Sequence, residues 1–109
     1  MPTTYKVLGQ SKPTAATATS LYTVPSATQA VVSTLVITNT TNDYSNIRVS
    51  IRPAGEAQAD KHYILYDTTV GGYDSNFFTI GITLGATDVV TIYDSNGKCS
   101  FNLFGSEIS

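Results

Sequence analysis

The sequence predicts an all-β fold: a single antiparallel β-sandwich of the immunoglobulin-like or jelly-roll kind, with a small barrel as the alternative. Three observations lead there. Several segments alternate apolar and polar residues with the period of two that sends one strand face into a core and the other into water. In the stretch from Asn46 to Arg52, Ile47, Val49 and Ile51 fall on one side and Arg48, Ser50 and Arg52 on the other. Turn residues recur roughly every eight to twelve positions, as in a sandwich, and no segment carries a convincing helical period. The strands so marked number seven to eight.

Taken in order, Tyr5-Lys6-Val7-Leu8 predicts a short strand ended by Gly9. Gln10 to Ser20 is Ser, Thr, Ala, Lys and Pro without periodicity and holds too little apolar surface to order itself. Residues 1–20 are therefore expected to form an extended arm, mobile or docked on a partner, and residues 21–109 the sandwich. Tyr5, Val7 and Leu8 are the large apolar residues of the arm after Met1 and the candidate assembly contacts. Leu21 to Val24 predicts a strand stopped by Pro25, which has no N–H for a ladder. Val31 to Asn39 is β-branched on both faces and reads as a buried strand. With Asn46–Arg52 across the turn Thr40-Thr41-Asn42-Asp43-Tyr44, it predicts a central β-hairpin.

Pro53-Ala54-Gly55 is a stop, and Glu56 to Asp60 a loop. Lys61 to Asp67 predicts a strand, Gly71 to Asn76 a loop, and Phe77 to Leu84 a strand with Phe78, Ile80, Ile82 and Leu84 inward. Val89 to Tyr93 and Lys98 to Phe104 are the last strands. The Asp94-Ser95-Asn96-Gly97 between them is a hairpin signal, because Asn-Gly accepts positive φ. The expected core is Ile47, Val49, Ile51, Phe78, Ile80, Ile82, Val90, Ile92, Phe101 and Leu103.

At 109 residues the chain is of single-domain size. Its charged fraction of 13% is about half the usual share. Much of the surface is therefore Ser, Thr, Asn and Gly, which suits contact with neighbours. A net charge of −2 and the lack of a basic cluster argue against nucleic acid as a partner. No apolar run approaches the roughly 20 residues that span a bilayer, and no signal-peptide pattern opens the sequence. The expectation is a protein made in a cytoplasm, without a membrane partner.

Chemistry-bearing residues are few. His62 is the lone histidine, at the start of a strand and without a Gly-x-Ser-x-Gly elbow; it reads as a strand-end surface residue. Asp67, Asp74, Asp88 and Asp94 lie at strand ends or in loops, where two could meet at one end of a sandwich around Ca²⁺, but loop chemistry explains them. Gly71-Gly72 lacks the lysine and helix of a phosphate loop. Cys99, the single cysteine, reads as a small buried hydrophobe. No catalytic residue, cofactor or metal site is expected. Tyr44, Tyr73 and Tyr93 fall in or beside loops and are the candidate surface recognition residues, with a glycan as a conceivable ligand.

Several segments together resemble small virion structural proteins of tailed bacteriophages, particularly phages of aquatic bacteria. They are Tyr5 to Gln10, Leu21 to Pro25, Val31 to Asn39, Arg52 to Gly55, Lys61 to Asp67, Gly81 to Leu84 and Phe101 to Ile108. The resemblance runs over nearly the whole chain and its motifs are structural. It implies a non-enzymatic subunit of the virion, made in the host cytoplasm, with other virion proteins and itself as partners. The expected role is capsid decoration or cement, the alternative a tail, baseplate or fibre component with a receptor- or glycan-binding function.

Overall fold

A computed structural model describes residues 3–109, apart from the side chain of Ile80. Met1 of the expected arm and Ile80 of the expected core thus lie outside the described residues. The strands are β1 (Thr3–Ser11), β2 (Thr19–Thr23), β3 (Gln29–Asn39), β4 (Ser45–Arg52), β5 (Tyr63–Val70), β6 (Ser75–Leu84), β7 (Val89–Asp94) and β8 (Cys99–Ile108). Two 3₁₀ turns, Pro53–Gly55 and Asp60–His62, interrupt the β4–β5 connection, and the described residues contain no α-helix.

The strands form two four-stranded antiparallel sheets, in the orders β1-β8-β3-β6 and β2-β7-β4-β5. First pairs with last, second with seventh, third with sixth and fourth with fifth. That nested pairing, folded over into two sheets, is the jelly roll; an immunoglobulin order would place strands of the first hairpin side by side.

The interior is the alternating set. Ile47, Val49, Val90, Ile92, Phe101 and Leu103 are buried, and Ile51, Phe78 and Ile82 pack partly buried against them. Leu35, Ile37, Val32, Val70 and Leu84 complete the layer between the sheets.

Sequence order and spatial pairing part company at the turns. The expected hairpin over Val31–Arg52 is not one: β3 and β4 lie in different sheets. The Thr40–Tyr44 segment is an arch between layers, held by Asn39, whose Nδ2 donates to the carbonyls of Asp43 (2.6 Å) and Val70 (3.2 Å). Its Oδ1 accepts from the amide and hydroxyl of Thr41, both at 2.9 Å. The same holds for Asp94–Gly97, where Gly97 does take positive φ, yet β7 and β8 belong to opposite sheets. Among the described strands, only β4 and β5 are both consecutive and paired. An arch and a hairpin each present one apolar face inward, so the alternation is the same for both.

The expected arm is revised as well. Thr3–Ser11 is an edge strand paired with β8 over its whole length. Gly9 does not stop it. Leu8 follows the outward Val7 and so points into the core, the register shift between Val7 and Gly9 lets pairing continue past it, and a Cβ on Gly9 would lie 2.4 Å from the Leu21 carbonyl oxygen. Residues 12–18 form another arch, tied by the Ala16 amide to the Asp94 carbonyl at 2.8 Å and by Lys12 Nζ to the Gly97 carbonyl at 2.8 Å. The last strand likewise runs on to Ile108, because Thr3 and Gln29 flank it to the end.

A Val49→Asp variant should lose about 3 kcal/mol or more, since the carboxylate would be buried without a partner. That corresponds to a fall in Tm on the order of 15 °C. Thermal denaturation followed by circular dichroism checks it; an unchanged Tm would remove Val49 from the core.

Candidate functional site

The outer faces of the two sheets differ in chemistry. On β1-β8-β3-β6, the outward residues form cross-strand rows: Tyr5, Ser106, Val31 and Thr83; Val7, Phe104, Thr34 and Thr79; Gln10, Asn102, Val36 and Phe77. None of these residues is charged. Tyr5 at one edge is 85% exposed and Phe77 at the other 69%. Tyr5, Val31 and Phe104 line a shallow depression of about 450 Å³ with Ser33 and Ser106. Lys6 borders it, but its ammonium lies 3.2 Å from Glu107. Of the three candidate assembly contacts, Tyr5 and Val7 stand on this face and Leu8 does not: alternation turns it to the core side.

The opposite face, on β2-β7-β4-β5, carries the charge. Arg48 of β4 stands in register with Tyr93 of β7. Its guanidinium lies 4.3 Å from the Tyr66 ring centroid and 4.6 Å from that of Tyr93. Asp67 fixes the fork, with Arg48 Nε and Nη2 donating to its two oxygens at 2.6 and 3.3 Å. These hydrogen bonds raise an arginine pKa that is already high. Tyr63 meets Tyr66 edge-on, with centroids 4.8 Å apart and planes at 74°. Three residues apart on a regular strand, these two tyrosines would face opposite ways. The β4–β5 register shifts between Val49 and Ser50 and again between Ile47 and Val49, and Asp67 takes positive φ. Those irregularities bring both rings to one place, which is why alternation alone missed them.

Tyr44 and Tyr73, the other recognition candidates, share one end of the sandwich. They are 56% and 76% exposed on arches joined by the Tyr73 amide donating to the Thr41 carbonyl at 2.7 Å. Tyr93 is not with them; it is half-buried beneath Arg48 on the sheet face.

His62 is buried, which corrects the expectation of a surface position. Its Nδ1 accepts from the Ala59 amide at 3.1 Å, and its Nε2 faces Glu56 Oε1 at 3.2 Å. An Nδ1 acceptor leaves Nε2–H as the donor, so the ring is a tie for the 56–62 segment. The aspartates are dispersed. Asp88 accepts from the amides of Gly85 (2.8 Å) and Ala54 (2.9 Å), and Asp74 from that of Ser75 (2.9 Å). Among the described residues, no three of His, Cys, Asp and Glu are grouped to hold a metal ion.

Asp94 is fully buried. Its carboxylate accepts from the Ser45 hydroxyl and from the amides of Asn96 (3.1 Å), Lys98 (2.8 Å) and Cys99 (2.6 Å). Burial by itself would raise its pKa; the hydrogen bonds outweigh that and hold it below the ordinary aspartate value. The neighbouring Cys99 thiol is pushed up to about 12, by burial first and by Asp94 second. It is a core group rather than a nucleophile.

A comparison with protein-family models finds no match for the chain, and neither does a comparison with curated proteins.

The Asp94 network predicts an acid-sensitive fold. A carboxyl with a depressed native pKa adds stability that is whole above its unfolded value, near 3.8, and is lost as pH falls through the native value. Urea midpoints should therefore drop steeply below pH 4. Asp94→Asn, which turns one acceptor into a donor facing amides, should cost roughly 2–3 kcal/mol at neutral pH and flatten that acid dependence. A variant as stable as the parent at pH 7 would contradict this account.

Proposed function

We propose that this chain is a bacteriophage virion structural protein, a capsid decoration or cement subunit that binds and stabilises the particle through protein–protein contacts. It acts by contact and not by catalysis, resides in the virion after synthesis in the host cytoplasm, and meets other virion proteins and copies of itself. The resemblance of its segments to virion proteins supports this reading. So does the jelly roll, a fold that recurs in viral capsid domains, although one fold serves many functions.

The observation that carries the reading is the uncharged outer face of β1-β8-β3-β6, with Tyr5, Val7 and Phe77 exposed on it. Covering these rows buries no charged side chain of their own, and Lys6 at the border is already paired with Glu107, so little partner charge is needed to offset the cost. Each large apolar side chain newly buried contributes roughly 1.5–3 kcal/mol. A second reading, a receptor- or glycan-binding component of a tail or fibre, is favoured by the exposure of Tyr44 and Tyr73 at one end of the sandwich.

The test is a Tyr5→Asp, Phe77→Asp double variant. Both side chains are exposed, so each change should alter stability by only about 0.5 kcal/mol. In lysates of infected cells fractionated on density gradients, the parent chain should band with particles and the variant should stay in the soluble fraction. Parent chain absent from the particle band would overturn the virion reading. A normally banding variant would overturn the role of this face. Loss of cell adsorption by a normally banding Tyr44→Ala, Tyr73→Ala variant would favour the receptor reading.

A further inference from the structure

We propose that Asp60, Tyr63 and Tyr66 form a binding site for a guanidinium group, the side chain of an arginine presented by a partner protein. This does not rest on the virion reading, because it concerns the opposite sheet and a different chemistry.

The chain itself displays the chemistry. Arg48 lies between two tyrosine rings, Tyr66 and Tyr93, with Asp67 gripping its fork. A guanidinium is held there by ring faces on its flat sides and a carboxylate on its N–H edge. Immediately beside this cluster the same parts recur. Tyr63 and Tyr66 meet at 74° and so present two walls of a corner, and together with Asp60 they line an open depression of about 430 Å³.

Among the described residues, no cation takes that place. The nearest in sequence, Lys61, points its ammonium 3.8 Å from Glu56, and no described side chain forms an ion pair or hydrogen bond with the Asp60 carboxylate. An exposed carboxylate beside an exposed and a half-buried tyrosine attracts a cation with an apolar, planar body. That description fits guanidinium better than the compact, strongly hydrated ammonium of lysine.

Each part is held in place from below. Asp60 begins the 3₁₀ turn that ends at the buried His62, and Tyr63 follows directly as the first residue of β5. Tyr66 is braced by Arg48. Arg48 has a second function in this arrangement: it occupies part of the Tyr66 ring and pairs with Asp67, leaving Asp60 as the carboxylate of the open corner.

The experiment titrates N-acetyl-arginine amide into the full chain and follows the tyrosine ring and backbone resonances by NMR. The expected result is saturable shifts at Tyr63, Tyr66 and Asp60, weaker binding of N-acetyl-lysine amide, and none of the neutral citrulline analogue. D60N should weaken arginine binding roughly tenfold or more, because it removes the charge-assisted bond. Its folded state should be unchanged, since the Asp60 side chain holds nothing else among the described residues. Tyr63→Leu should also weaken binding. Absence of saturable shifts, equal binding of lysine or citrulline, or an unweakened D60N variant would each overturn the proposal. So would neutral monosaccharides shifting the same resonances in place of arginine.

Discussion

The carboxylate of Asp94 sits where the two sheets are joined, and much of the architecture converges on it. It accepts from Ser45 at the start of β4 and from amides at the start of β8, while its own carbonyl takes the Ala16 amide of the first arch. One residue, through its carboxylate and its carbonyl, thus ties together three crossings between layers. Without those donors, a fully buried carboxylate would carry a desolvation cost that burial of neighbouring side chains could not offset. With them, it defines where β7 ends and β8 begins. The other crossings follow the same pattern with main-chain bonds. The Val24 amide donates to the Asp88 carbonyl and the Thr87 amide to that of Val24, both at 3.0 Å, joining the β2–β3 and β6–β7 arches. The Asn39 amide bonds to the Asp74 carbonyl at 2.9 Å, joining the β3–β4 and β5–β6 arches. Arches are thus stabilised in pairs, from opposite ends of the sequence.

This arrangement has a consequence for how the molecule forms. Apart from β4–β5, every ladder joins strands that are distant along the chain, and Thr3 stands opposite Ile108. Loop closure must precede the reward from such contacts, which makes folding of this topology slow relative to helical domains of the same size. The β4–β5 unit is the local exception. Its connection is also unusually well bonded: Ser50 donates to Gln58 at 2.7 Å, Arg52 to the Glu56 carbonyl at 3.0 Å, and His62 binds Ala59. These bonds give the lone histidine a structural role at the point where the two halves of the roll fold over.

The two outer faces suit two kinds of contact. One is uncharged and spanned by exposed Tyr5, Val7 and Phe77. The other concentrates arginine, aspartate and tyrosine around Arg48. Alternation sends one residue in two outward on every strand, so a sandwich can carry separate chemistries on its two sides without altering its core. Only 13% of the residues are charged, and Arg48 and Asp67 stand on one sheet with Asp60 in the turn that leads into it, while the outward rows of the other sheet carry no ion.

The fold class, the places of the strands and most of the core were determined by the sequence alone, because alternation reports directly which side of a strand is dry. Ile47, Val49, Ile92 and Phe101 were legible in this way. Pairing was not. The turn chemistry of Asn42-Asp43 and Asn96-Gly97 says that the chain reverses, but not whether it reverses within a sheet or across to the other; both outcomes bury the same faces. Of the edge strand from Thr3 to Ser11, only Tyr5 to Leu8 was legible, and its continuation past Gly9 was hidden for a related reason. Only Leu8 of it is buried, and its order comes from main-chain bonds to β8, which leave no trace in side-chain pattern. The candidate site shows the same division. Arg48 was legible as an outward residue, but its stacking with Tyr66 and the corner made with Tyr63 depend on register shifts in β5. Such shifts are set by how two strands far from ideal pairing settle against each other, and only the tertiary structure decides that.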